Sequence, residues 1–323
     1  MTTPIPSADT LESFHKELDE IRDDLMAKVG EEDARYIRRI VRVQRFLELG
    51  GRAVMVAGFY HWIWWLVGVV MLGCAKILDN MEIGHNVMHG QYDWMNDPHL
   101  NSRTFDWDNV CDGESWRRTH NYEHHTYTNI IGKDRDFGYD TLRLSDDVKW
   151  KAHYRWQPIR LIVLMLSFQW AVAYHELFGE RIFVGKRRPE GKLPISHAEL
   201  IKDFFSKIRR AVFRDYIFYP AIVGIFLGWP MFFAIAAGNL VANLIRNVWA
   251  NIIIFCGHFT EEVHTFSEEV HTFSEEDCEN ETRGQWYYRQ ILGSSNLEGS
   301  KLLHIMSGHL SRQVEHHLFP DMP

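Results

Sequence analysis

Three histidine clusters carry the chemistry that stands out in this chain. The first is GHNVMHG, with His85 and His89. The second is HNYEHH, with His120, His124 and His125. The third is QVEHH, with Gln313, His316 and His317. An i,i+4 spacing places His85 with His89, and His120 with His124, on a common helix face. His125 is offset toward a neighbouring position, and Gln313 stands three and four residues before His316 and His317. An eighth clustered histidine, His258, ends a long apolar run in the phrase FCGH. One such pair alone is more often a surface accident than a ligand pair. Three clusters beside apolar segments argue differently. Imidazole suits iron, zinc, copper and nickel, and eight imidazoles exceed the needs of one ion, so two metal ions are implied.

The elements that must bring these residues together are apolar segments. Residues 53–75 carry no formal charge. Residues 216–257 form an apolar region with Arg246 its only charge, long enough for two helical crossings of a bilayer, with a turn expected near Gly238 and Asn239. The apolar stretch within 158–178 is short for a crossing. If every ligand lies on one side, the number of crossings between His125 and His316 is even, so 158–178 is expected to lie in the interface or to dip and return. Residues 35–52 alternate six arginines with apolar residues and read as a basic amphipathic helix on a membrane surface, or alternatively as a soluble surface helix. With the basic stretch 181–214 they mark the cytoplasmic side. In the N-terminal half, a basic helix on that side would require 53–75 to belong to a hairpin with the residues before it.

Residues 1–34 are polar and acidic, with no signal-peptide pattern, and read as a solvated tail. Net charge is −8, and no basic patch points to nucleic acid. Cys74, Cys111, Cys256 and Cys278 form no CxxC pair and no disulfide framework, which fits reduced, cytosolic thiols. The heptapeptide EEVHTFS occurs twice, at 261–267 and 268–274. Two copies make no repeat architecture, although His264 and His271 invite a metal reading. His61 reads as packed or interfacial. Phe105, Asp106, Trp107 and Asp108 read either as channel lining or as a surface loop around a packed Trp107.

The clusters and their flanks, LDNMEIGHNVMHGQ, THNYEHHTYTN and QVEHHLFP, resemble the HX3H, HX2HH and QX2HH boxes of the membrane fatty acid desaturases, especially the bacterial, actinobacterial acyl-CoA desaturases. The resemblance runs from about Arg35 to Pro323, so residues 35–323 are expected to form one membrane domain after the tail. It implies an all-α integral membrane protein of about four transmembrane helices in two hairpins, with a cytosolic helical cap. It implies two non-haem iron ions held by His85, His89, His120, His124, His125, His258, His316 and His317, with Gln313 at a box position that is histidine in many relatives. His309, four residues before Gln313, is a candidate to compensate. The implied reaction places a cis double bond in a fatty acyl chain, on coenzyme A or on a lipid, with O2 as co-substrate. No haem motif is present, so the implied electron donor is a separate reductase or ferredoxin. The implied setting is a bacterial cell membrane, with the active site on its cytoplasmic side. The family usually continues beyond the position of Pro323, so a truncated C-terminus is one reading. Related di-iron hydroxylases and alkane monooxygenases share such boxes; a histidine-rich metal transporter or a zinc-binding receptor is the reading from a different class.

Overall fold

The computed structural model describes residues 6–176, 179, 197–261, 263–266 and 281–323. Their regular structure is helical apart from two isolated bridges, Ile130 with Phe266 and Asn296 with Arg312. Much of the basic stretch 181–214, the second EEVHTFS copy with His271, and Cys278 lie outside the described residues. Cys74, Cys111 and Cys256 are free thiols.

Helix α1 (Ala8–Met26) begins at Ser7, whose hydroxyl accepts from the Thr10 N–H. It occupies the segment expected as a solvated tail. The reason is a narrow stripe: Phe14 and Leu18 pack against Tyr287, Leu318 and Phe319 near the C-terminus, and Leu11 is buried close to Gly284. Asp19 accepts from Arg283 and from the Tyr287 hydroxyl at 2.8 and 2.7 Å. Three apolar residues in an acidic sequence are easily overlooked, yet they suffice once a partner surface exists.

Helix α2 (Glu31–Val56) pairs with α3 (Trp62–Leu78) as an antiparallel hairpin. The apolar residues of the basic helix divide between two faces. Ile37 and Ile40 are buried against Leu78, Ile83 and Val87, whereas Val43, Phe46 and Leu49 stay exposed. The hairpin closes on glycines: a Cβ on Gly68 would lie 2.4 Å from the Met55 nitrogen, and one on Gly51 would lie 2.9 Å from the Leu72 nitrogen. Small residues at a crossing let helix backbones approach where apolar burial gives little drive. His61 is exposed and caps α3, its Nδ1 accepting from the Ile63 N–H.

Past Leu78 the helix widens into a π-helical stretch, Asp79–His85, before the short turn Asn86–Met88. Helix α4 (Gly113–Trp116), capped by Asp112, widens in the same way over Arg117–His124 and ends at His125–Tyr127. Helices α5 (Gln157–Leu166) and α6 (Phe168–Glu176) are separated by a break at Ser167. At about 15 Å each, neither spans a bilayer alone. Helix α7 (His197–Val212) passes through a third wide stretch, Phe213–Phe218, into α8 (Tyr219–Leu227), and α9 runs from Trp229 to His258. The short helices α10 (Arg283–Leu292), α11 (Lys301–Met306) and α12 (Gln313–Leu318) complete the chain.

The turn expected near Gly238 and Asn239 is instead at Gly228. Its φ of +89° suits glycine, and Pro230 follows in the first turn of α9. Gly238 and Asn239 lie inside α9, where they serve packing: a Cβ on Gly238 would meet the Met55 sulfur at 2.3 Å, and the Asn239 amide donates to the Asp215 carbonyl.

Among the described residues, two helices are long and apolar enough to cross a membrane, Trp62–Met88 and Trp229–His258. Buried charges tie them to their neighbours. Lys76 donates to Asp108 at 2.7 Å and to Asp215 at 3.1 Å. Arg214 pairs with both aspartates, and Arg246 donates to the Asp108 carbonyl at 2.8 Å and to Gln169. Each buried charge has a partner, the condition for tolerating it in a low dielectric.

Gly68→Leu forces its side chain into the α2 backbone. It is expected to cost about 1–3 kcal/mol or more, read as a lowered thermal midpoint of the detergent-solubilised protein. An unchanged midpoint would contradict the close crossing.

Candidate metal centre

The three clusters and His258 arrive at one pocket. The first wide stretch and the turn after it deliver His85 and His89, and the second delivers His120 and His124, with His125 beginning the next turn. Helix α9 ends on His258, and α12 carries Gln313, His316 and His317. Wide helical turns of this kind recur at functional sites. Here they shift successive side chains around the axis just where the ligating residues stand.

The imidazoles sort into two groups. In the first, one ring nitrogen each from His85, His89, His120 and His316 lies within 4.8 Å of the others; in the second, the same holds for His124, His258 and His317. The Nε2 atoms of His124 and His317 are 3.3 and 3.2 Å from Nε2 of His258. His125 stands between the groups. Its ring stacks on His317 with centroids 4.4 Å apart and lies 4.7 Å from His89. Gln313 places Nε2 at 2.7 Å from His258 Nε2 and packs against Gly257, where a Cβ would lie 3.0 Å from the Gln313 Oε1.

Bonds on the far side of the rings set their orientation. His120 Nδ1 meets Asp136 at 3.1 Å, and His124 Nδ1 meets Asp134 at 3.1 Å. His317 Nδ1 meets Gln290 Oε1 at 2.9 Å, and His85 Nδ1 meets Asn86 Oδ1 at 3.2 Å. An oxygen acceptor at Nδ1 holds the proton there and leaves the Nε2 lone pair facing the pocket. Burial, then the neighbouring imidazoles, push His125, His316 and His317 well below the ordinary histidine range. His120 is also lowered by burial, against the pull of Asp136. For His124 burial again disfavours the charge, but Asp134 outweighs it and the net shift is upward.

Inward lone pairs on neutral rings are the form a metal ion needs. The buried nitrogens His89 Nε2, His120 Nε2, His316 Nε2 and both of His125 have no hydrogen-bond partner, and Gln313 Oε1 is likewise unpartnered. Leaving such atoms bare costs about 1–3 kcal/mol each, and coordinating cations would remove that cost. The residues therefore fit a pair of metal ions. Beside them opens a cavity bounded by His85, His120, His124 and His258 at one end and by Arg246 and Asn247 further back along α9, with apolar walls that include Trp107, Phe168 and Ala250.

Within the Phe105–Asp108 run, Trp107 lines that cavity, while Asp106 pairs with Lys207 and Asp108 with Lys76. His309 points elsewhere, bonding Glu82 at 3.1 Å, so it does not join Gln313. Among the described residues His264 belongs to neither histidine group. Sequence reasoning missed Asp134, Asp136, Gln290 and Asn129. The aspartates had a visible cue, the phrase KDRD shortly after the second cluster; Gln290 and Asn129 had none. Asn129, at φ +57°, accepts no spacing rule. Its N–H donates to Asp134 at 2.8 Å, and its side-chain amide to the carbonyls of Gly293 and His264 at 2.9 and 3.2 Å.

Residues 60–323 match the family described as Fatty acid desaturase. Two relatives named NADPH-dependent stearoyl-CoA 9-desaturase, from Mycobacterium tuberculosis strains CDC 1551 / Oshkosh and ATCC 25618 / H37Rv, are each 43% identical over 313 residues, covering 97% of this chain and 70% of the relative. The sn-1 linoleoyl-lipid 6-desaturase of Synechocystis sp. is 25% identical over 265 residues, covering 80% of this chain and 68% of that protein.

Asp134→Asn keeps the shape beside His124 but weakens its orienting bond; metal retention is expected to fall about 10–100-fold, measured by competition with a chelator. Retention equal to the parent protein would refute the role. In metal-free protein, the lowered histidines bind protons more readily unfolded than folded. Their stabilisation is present above about pH 6.5 and is lost as pH falls below it, with His124 offsetting part. The thermal midpoint of chelator-treated protein should drop on acidification through that range.

Proposed function

The chain belongs to the fatty acid desaturase family, an oxidoreductase family, and on that premise we propose that it desaturates a fatty acyl-CoA at two non-haem iron ions. One ion would be held by His85, His89, His120 and His316, the other by His124, His258 and His317, with His125 between them and Gln313 beside His258. The observation that carries this reading is the gathering of the eight imidazoles in one pocket, four of them at the wall of a largely apolar cavity. The iron pair would supply the activation of dioxygen that no side chain offers. The chain's own residues do the rest. Asp134, Asp136 and Gln290 aim the rings. Trp107, Trp116 and Phe168 give the cavity apolar walls, so a hydrocarbon segment gains by entering it. The wall fixes which methylene pair lies beside the histidines.

The mycobacterial relatives' name specifies stearoyl-CoA, position 9 and NADPH. At 43% identity over nearly the whole chain these are the substrate, position and reductant proposed here, with electrons passed through a separate reductase or ferredoxin.

The proposed setting is a cell membrane, with the site at its cytoplasmic face. The two apolar helices, Trp62–Met88 and Trp229–His258, both end at the site, so they cross in the same direction. The chain must return between them, which α8 and the helix before it provide, and α2 provides the limb before α3. That makes four limbs in two hairpins, with tips at Tyr60 and Trp229. The break at Ser167 fits α5 and α6 lying in the interface, where Ile159, Ile162 and Val163 would expose their side chains to lipid.

Expression with a compatible NADPH-dependent reductase, followed by mass spectrometry of acyl chains, should locate a new double bond at position 9. A hydroxylated chain without alkene would instead make the protein a hydroxylase. His124→Ala and His317→Ala are each expected to abolish product while membrane insertion persists; near-normal turnover in either rejects the ligand set. Cysteines placed at Tyr60 and Trp229 should react with an impermeant reagent from outside the cell, and one at Glu298 only after permeabilisation. Labelling of all three from one side would refute the two-hairpin arrangement.

A further inference from the structure

One buried acid in the wall of the cavity has no use in the account so far. Glu176, at the end of α6, is 2% exposed, and its Oε2 is buried with no hydrogen-bond partner. It lines the same cavity as His120, His124 and Asp136. A Glu176 oxygen, a His175 ring nitrogen and an Asp136 oxygen lie within 4.8 Å of one another. Asp136 faces both neighbours, at 3.1 Å from His120 Nδ1 and 3.4 Å from His175 Nε2. His175 is anchored through its carbonyl, which accepts from Arg135.

A carboxylate in this position would bury charge on an Oε2 that no hydrogen bond satisfies, which is costly. Burial first, then the negative charge of Asp136, raise the Glu176 carboxyl well above the usual range. Arg135 and Arg118 oppose this, and Glu123 adds to it. Cys111 and Tyr139, both close enough to feel its charge, are themselves pushed upward, chiefly by burial. Burial thus favours the protonated form of Glu176, in a cavity whose other walls are mostly apolar or imidazole.

The desaturase reading, on which this inference rests, creates a demand for that proton. One dioxygen, two electrons from the external carrier, two protons and a –CH2–CH2– unit give –CH=CH– and two waters. The acyl chain surrenders two hydrogens; the two further protons must enter from solvent through a pocket with apolar walls. We propose that Glu176 is the acid that passes these protons into the cavity. Its O–H bond breaks as an O–H bond forms on the oxygen being reduced, and the carboxylate left behind takes its next proton from the aqueous side. Glu123, whose side chain is 26% exposed and lies 3.9 Å from Arg135, marks the direction of that supply.

The experiment uses the full chain with Glu176→Gln and Glu176→Asp. In metal-free protein at pH 7, infrared spectroscopy should show the carbonyl band of a protonated carboxyl group that Glu176→Gln removes. Metal content of the variant should equal that of the parent. With iron and reductase, kcat should fall roughly 100-fold or more at unchanged KM, electrons should be consumed without matching alkene, and Glu176→Asp should recover part of the rate. Persistence of the infrared band, loss of metal on substitution, or parental turnover in Glu176→Gln would each overturn the proposal while leaving the desaturase reading standing. A parent protein that forms no alkene would bring down both.

Discussion

Eight imidazoles can be buried together only if they stay neutral and only if something other than each other fixes their rings. That requirement organises the structure. Protonated rings at these separations would repel one another in a medium that screens poorly, and freely turning rings would not present their lone pairs in common. The bonds from Asp134, Asp136, Gln290 and Asn86 fix four of the rings, each holding a proton on the outer nitrogen and leaving the inner one bare, while burial favours the neutral form. These acceptors come from the loop after α4, from α10 and from the end of the first long helix. The loops between the histidine clusters are therefore as much part of the pocket as the clusters are.

The same logic extends into the apolar helices. Lys76 and Arg246 lie within segments otherwise suited to lipid, and both are buried at 2% exposure. They reach the loop at Asp108, which in turn positions Trp107 on the cavity wall. Removing one member of such a set strands the others, so the charges act as cross-links between helices more than as isolated pairs. The glycines at 51, 68 and 238 contribute from the other direction, by bringing backbones close enough for these long side chains to reach.

Much of this was legible in the residue order, for reasons that can be stated. The i,i+4 spacing of His85 with His89 and of His120 with His124 put each pair on one face, and the long apolar runs located the two helices that end at the pocket. The family resemblance united clusters that periodicity alone left separate. What escaped had no local signature. A wide helical turn such as Asp79–His85 depends on a change in backbone pairing that side-chain type does not announce. Gly238 and Asn239 looked like a turn because glycine and asparagine favour turns, but close packing against Met55 selects the same residue types, and only Gly228 needs a positive φ. Helix α1 escaped because its narrow apolar stripe acquires meaning only where Phe14 and Leu18 meet Tyr287 and Phe319. His309 stood at a suggestive spacing from Gln313, yet the turn at Gly308 and His309, both at positive φ, sends its ring to Glu82.

Asn129 bears on how such a molecule comes into being. Its amide reaches carbonyls 135 and 164 positions away along the chain, and its neighbour Thr128 meets His317 across 189. Contacts of that range pay their ordering entropy before they return anything. The helical hairpins are built from near neighbours, whereas the histidine pocket is closed by residues far apart in the chain, so its closure carries the larger ordering cost. A metal ion bound there would tie together segments that stand far apart in the chain.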